Sequence, residues 1–279
     1  SKIASNVNST SVLGFRGVED LGGGTTAGFH LLSELSLPEG QVGSYTSGDA
    51  APNAGQKSNL FTRAANIYLE SKDTGHFEIG RIQDAAWQTQ GAFNNVGSNS
   101  FGFGAYTATQ TNFKALAAQG FGTAPTDTTF SGTATTAAGA GGTANNAQSG
   151  YAYVNFNAGF GYTTPEFYGV KATYQRIGNN YSNTAAGNAA AATGNAYRIE
   201  YTNGPLNVQY AQTSRQDAAD LLGAKITVLG ATYQLGASKL VAAQSKLTTS
   251  NGFSTIDGNT VNGFGVIHDL SAKVNVGVG

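Results

Sequence analysis

Neither cysteine nor methionine occurs among the 279 residues of this chain. The first absence excludes disulfides and any thiolate metal site. The second, together with the lack of an apolar leader at the start, sets the expectation of a processed or partial chain. Charge is scarce as well: 11% of residues are charged, against roughly 25% in soluble domains. The formal net charge of −1 gives no electrostatic basis for binding a polyanion, which argues against nucleic acid as a partner. No stretch approaches the ~18 consecutive apolar residues that a spanning helix needs. With a mean hydropathy of −0.20, a helical membrane protein is excluded.

What is present fits another solution. Glycine accounts for 39 residues, nearly double the ordinary share of about 7%. The 13 tyrosines and 15 phenylalanines argue against a disordered chain. Few charges, many small polar residues and modest hydrophobicity are what a β-barrel with one lipid face and one wet face requires.

The dominant signal is a rhythm. About twelve segments carry apolar residues at every second position, at roughly 10–19, 24–37, 60–71, 75–84, 151–163, 166–177, 195–202, 206–214, 223–235, 237–248, 260–267 and 272–279. Short joints with turn chemistry alternate with long ones. Glu19 to Gly23, Lys72-Asp73-Thr74, Thr164-Pro165, Asn203-Gly204-Pro205, Gly236 and His268-Asp269-Leu270 are the short joints. Segments 38–59, 85–149, 178–194, 215–222 and 249–259 are long. This alternation predicts an all-β, antiparallel, up-and-down transmembrane barrel occupying 1–279 as one domain.

The faces are legible. Ala27, Phe29, Leu31, Leu35 and Leu37 oppose His30, Glu34 and Ser36; Val154, Phe156, Ala158, Phe160 and Tyr162 oppose Tyr153, Asn155 and Asn157. Tyr197, Ile199 and Tyr201 oppose Arg198 and Glu200; Leu206, Val208 and Tyr210 oppose Asn207 and Gln209; Val274, Val276 and Val278 oppose Lys273 and Asn275. Charge falls with the polar set each time, as expected where a charge facing lipid costs about 2–4 kcal/mol near the midplane. Phe15, Tyr162, Tyr168, Tyr201 and Tyr210 are placed to form interfacial girdles.

Four motifs, in order along the chain, resemble one family. Leu13-Gly14-Phe15-Arg16-Gly17-Val18-Glu19-Asp20-Leu21-Gly22-Gly23-Gly24, followed by Ala27-Gly28-Phe29, is similar to the second strand and first turn of betaproteobacterial-type outer-membrane porins. Arg63 to Leu69 with Gly75-His76-Phe77-Glu78-Ile79-Gly80-Arg81, Tyr162-Thr163-Thr164-Pro165-Glu166-Phe167, and Tyr201-Thr202-Asn203-Gly204-Pro205-Leu206 continue the match. The resemblance implies a homotrimer of barrels of about 16 strands, each with its own water-filled pore. About twelve strands are represented here, so the resemblance implies a partial chain and a gap in the wall. It also implies an outer-membrane location amid lipid and lipopolysaccharide, no cofactor, and three barrels joined through Leu13, Phe15 and their outward neighbours.

By the same resemblance 85–149 is the constriction loop that folds inward after Gly80-Arg81, with the stretch from Trp87 to Phe103, including Phe93, at the narrowest point. Alternation points Arg16 into the lumen, opposite Leu13 and Phe15. For Arg81, strict alternation from Phe77 and Ile79 points to lipid, whereas the resemblance points to the pore wall. A bulge at Gly80 would reconcile the two. Glu34, Asn155, Lys171 and Arg198 complete the candidate pore residues. The family often carries basic residues where this chain has Val12 and near Asn155, and 85–149 holds only Lys114 and Asp127 as charges. The implied function is therefore passive diffusion of small hydrophilic solutes and ions, weakly selective, with a mild anion preference at most.

Other classes fit less well. A Gly-rich surface, adhesive or sheath protein would need a regular repeat, and none is present. An enzyme would need a catalytic cluster. His30, His76 and His268 lie apart without zinc-ligand spacing, and no nucleophile motif occurs. The triple glycine at 22–24 precedes a strand, so it reads as a turn and not a phosphate cradle.

Overall fold

The computed structural model describes residues 11–36, 41–42, 60–61, 64–93, 155–177, 193–216, 223–250, 260–271 and 274–278. Their strands are β1 (Val12–Gly22), β2 (Thr25–Ser36), β3 (Gln41–Val42), β4 (Ala64–Ser71), β5 (Gly75–Gln83), β6 (Asn155–Thr163) and β7 (Val170–Ile177). They continue with β8 (Thr193–Asn203), β9 (Leu206–Gln216), β10 (Gly223–Leu235), β11 (Ser238–Ser250), β12 (Thr260–Ser271) and β13 (Val274–Val278). One helix, α1 (Ala85–Ala92), follows β5. Twelve strands follow one another in a single antiparallel sheet in chain order, and the two-residue β3 pairs with β2 off that path. The fold is thus the antiparallel up-and-down sheet of a barrel wall. Among the described residues β1 and β13 share no ladder, so the sheet is open there.

Local chemistry sets the turns. The Asp20 carboxylate accepts the Gly22 N–H at 2.8 Å beside a register shift between the two residues, and this closes the first short turn. The turn lies later than the sequence suggests, because Glu19 to Gly22 still belong to β1. His268, Asp269 and Leu270, read as a turn, lie instead within β12, whose register slips between Asp269 and Ser271 before β13. The outer strands tolerate such slips because each ladder bond is local and the side-chain period resumes beyond it.

The register confirms the two faces. Phe29, Ile67, Ile79 and Phe160 stand in one cross-strand row, and Ile199, Tyr210 and Leu229 in another. These side chains are exposed, Ile67 at 62%, although they are among the most apolar in the chain. The adjacent rows are His30, Asn66, Gly80 and Gly159, and Arg198, Ala211, Val228 and Ser245. A soluble sheet would bury its apolar face, whereas this one presents a continuous apolar belt outward, which only a lipid surround satisfies. The Tyr162 hydroxyl donates to the Thr74 carbonyl at 2.8 Å at the short-turn end, where an amphipathic ring is at home. No described helix is long and apolar enough to cross a membrane.

The sheet is concave. Asp84 lies one residue beyond β5, and its carboxylate accepts a bond from Thr213 of β9 at 2.8 Å. Four strand steps separate β5 from β9, about 19 Å along a flat sheet at ~4.8 Å per strand. The contact is possible only because the wall curls around its polar face.

Placing a charge on the belt tests this assignment. Ile199→Lys should lower unfolding stability in lipid by about 2–4 kcal/mol. The adjacent Glu200→Gln, on the opposite face, should change it by less than about 0.5 kcal/mol. Urea titration of protein refolded into vesicles measures both.

Candidate functional site

The helix α1 is short, eight residues, and its sequence AAWQTQGA has neither an acid in its first turn nor a base in its last. Alone it would be marginal. Its position is fixed by bonds to the concave wall. Asp84 caps it from an extended backbone: Oδ1 accepts the N–H groups of Ala86 at 2.7 Å and Trp87 at 3.1 Å, as well as the Thr213 hydroxyl. Gln175 of β7, almost completely buried, holds the junction from both sides. Its Oε1 accepts the Ala85 N–H at 2.9 Å and its Nε2 donates to the Gln83 carbonyl at 2.8 Å. Further along, Arg198 of β8 donates to Gln88 Oε1 at 2.9 Å, and Gln90 donates to the Ser245 hydroxyl of β11 at 3.3 Å.

Apolar packing adds to these bonds. Ala86 and Phe93 bury themselves against Ala211, Ile226, Val228, Val241 and Ala243, with Trp87, Val261 and Ile267 packed around them. A Cβ on Gly230 would collide with the Phe93 ring, so this position must be glycine for the ring to lie flat on the wall. A second cluster joins Ile82, Ala85 and Ala196 at the helix start. Beneath α1 the inner wall of β9–β11 is mainly apolar, with Thr213 and Ser245 as polar anchors, which departs from a uniformly wet lumen. It is apolar because α1 covers it.

The sequence-predicted residues fall into groups. Arg198, Trp87 and Phe93 meet at α1. Arg16 stands opposite His30 in an inward row and is exposed. Lys171 lies on the same face as Arg198 but nearer the short turns, paired with Glu166 at 3.4 Å. Arg81 sits opposite Ala65 on β4, while the ladder to β6 skips from Gly80 to Ile82. Gly80 there takes φ +127° and any Cβ would strike the Ala65 carbonyl, but the β4–β5 register runs unbroken through it. The extra residue of the irregularity lies on β6, where Asn157 and Ala158 stand against Arg81 alone. Glu34 and Asn155 pair with Val12 and Gln83 through the backbone, and their side chains lie outside the described residues, as does the stretch 94–103.

Sequence reading missed Asp84, Gln175, Thr213 and Ser245. An Asp before a helix-permissive run is an N-cap signal. In β10, Ile226 and Val228 add apolar residues to the inward set, which marks a strand covered on both faces. The long-range partners of Gln175 carry no sequence signal.

An antiparallel wall, apolar outside and holding a helix on its concave face, defines an outer-membrane β-barrel. A family model described as Gram-negative porin matches residues 1–279, and the chain belongs to that family, which places it in the outer membrane as a channel. No curated protein sequence matches it. Among solved structures, it resembles the anion-selective porin from Comamonas acidovorans at 20% identity and a TM-score of 0.60, covering 98% of this chain and 68% of that one. It also resembles Salmonella typhi OmpF, solved in complex with daunomycin, at 16% identity and a TM-score of 0.56, covering 96% of this chain and 68% of that one. At these identities the likeness is one of fold.

Trp87 is the one tryptophan in the sequence, so its emission reports on α1 alone. Asp84→Ala removes the cap and the Thr213 bond, at a cost of about 1–2 kcal/mol or more for a buried partner left behind. The expected outcome is a red-shifted, more easily quenched Trp87 emission with an unchanged far-UV strand spectrum.

Proposed function

We propose that this porin is a general diffusion pore for small hydrophilic solutes and ions, weakly selective, with a mild anion preference at most. The observation that carries the reading is α1 on the concave wall, tied by Asp84, Gln175 and Arg198. A segment anchored there narrows the path, and we read 85–149 as the constriction loop of a single-domain barrel. No catalytic role is proposed.

The charge inventory supports weak selectivity. Arg16 and Arg198 stand on the inward face, and Arg81 joins them by its resemblance to the family's pore-wall arginine. Glu78 and Glu70 lie on the same face, and Lys171 is already paired with Glu166. In a narrow, partly desolvated channel fixed charge acts more strongly than in bulk water, but salt near 0.1 M screens beyond about 10 Å. Only charges near the constriction therefore bias passage. Association of three barrels through Leu13 and Phe15 completes the proposal. Both side chains are exposed on the outward face of β1, Phe15 at 53%.

Two measurements test this. Replacing Arg16 and Arg81 with Gln should move the reversal potential in a salt gradient toward cations by several millivolts, and an unmoved potential would refute the assignment. Mass measurement in mild detergent should give three chains, and Phe15→Lys should give one.

A further inference from the structure

Gln175 holds the start of α1 with an amide whose two ends are not interchangeable. Its Oε1 accepts the Ala85 N–H, and its Nε2 donates to the Gln83 carbonyl. Turned the other way, the amide would set oxygen against oxygen and N–H against N–H. Nε2 also carries a second hydrogen. In a side chain only 1% exposed, that hydrogen needs an acceptor of its own. Glu78 of β5 supplies it, because the Gln175 amide donates to the Glu78 carboxylate. An ionised carboxylate accepts and never donates, so it admits only the N–H end of Gln175.

The reach between the two depends on a missing side chain. Tyr68, Glu78, Gly161, Gln175, Ala196 and Thr213 form one inward cross-strand row over β4 to β9. Glu78 and Gln175 therefore stand two strands apart, about 10 Å at ordinary spacing. Gly161 leaves the surface between them bare. A Cβ there would lie 3.0 Å from Glu78 Oε1 and 3.4 Å from Gln175 Cγ, so the two side chains meet over the glycine. On the β4 side, Asn66 donates to Glu78 Oε2 at 3.4 Å. Further along the row Ala196 packs with Ala85, and Thr213 bonds to Asp84. The row thus runs from Glu78 directly beneath the start of α1.

We propose that Glu78 is a positioning residue of the pore: acting through Gln175 across Gly161, its carboxylate sets where α1 lies on the wall. Its consequence for conduction rests on the reading of 85–149 as the constriction loop, whereas the contact itself does not.

A buried thiol on α1 tests it. Thr89 is fully buried and the chain has no cysteine, so Thr89→Cys gives one thiol that reacts only when α1 lifts from the wall. Labelling rates are measured on the folded full chain in detergent, at alkaline pH where the carboxylate is ionised. In this background E78L should label about tenfold faster, the loss of one hydrogen bond to a charged group. E78Q, which keeps an acceptor oxygen, should stay within about threefold of the parent. Q175L should label faster too, and E78L/Q175L no faster than Q175L alone, because both changes break the same bond. If E78L fails to fold, G161V fills the gap while leaving Glu78 in the chain, and it should also label about tenfold faster. Unchanged labelling in E78L or, in its place, G161V would overturn the proposal. So would effects of E78L and Q175L that multiply in full. In planar bilayers E78L should also change the single-channel conductance. Faster labelling with wild-type conductance would refute the constriction reading and leave the role of Glu78 standing.

Discussion

In hydrocarbon every backbone N–H and C=O must find a partner within the protein, and the rest of this structure depends on that constraint. The antiparallel path from β1 to β13 answers it, because each strand on it satisfies the next. Among the described residues only the outer edges of β1 and β13 lie outside a ladder along it. Once the ladder is fixed, the period of two decides which solvent each residue meets. Ile199 meets lipid, and Arg198 and Glu200 on either side of it do not. Charge is scarce in the chain for the same reason: half of every strand can hardly carry any.

The concave face divides in two. Over β1, β2, β4 and β5 it is polar, with Arg16, His30 and Asn66 in one cross-strand row, Glu78 in the next and His76 stacked on Tyr68 at 5.1 Å. Over β8 to β11 the part beneath α1 is mostly apolar or small, with Arg198, Thr213 and Ser245 as its polar anchors. Burying Phe93 and Ala86 there supplies the stabilisation that a helix of eight residues lacks on its own. The hydrogen bonds of Asp84 and Gln175 then fix its direction, since a buried carboxylate or amide left unpartnered is costly. A hydrophobic patch and a few buried polar bonds thus convert a segment that would extend outward into one that lies within.

The wall was legible because its code is local. Alternation in Tyr197 to Tyr201, or in Leu206 to Tyr210, reports its own orientation without reference to any other strand. Boundaries were less legible where a bulge intervenes. At Asp20 and at Asp269 the ladder continues past residues with turn chemistry, so strand ends lay beyond the expected positions. The site was only half legible. Trp87, Phe93 and Arg198 were reached by resemblance and alternation, while Gln175 matters through Gln83 and Ala85, some 90 residues away in sequence. A glutamine on a strand's polar face looks the same whether it meets water or a buried backbone.

The central claim is that α1 stands in the conduction path. The chain contains no cysteine, so a single thiol can be read without background. Gln88 is half-buried on α1 beside Arg198. A Gln88→Cys variant, treated with a bulky water-soluble thiol reagent during single-channel recording, should show stepwise falls in current as each pore is modified. Complete modification by mass with undiminished current would contradict the account.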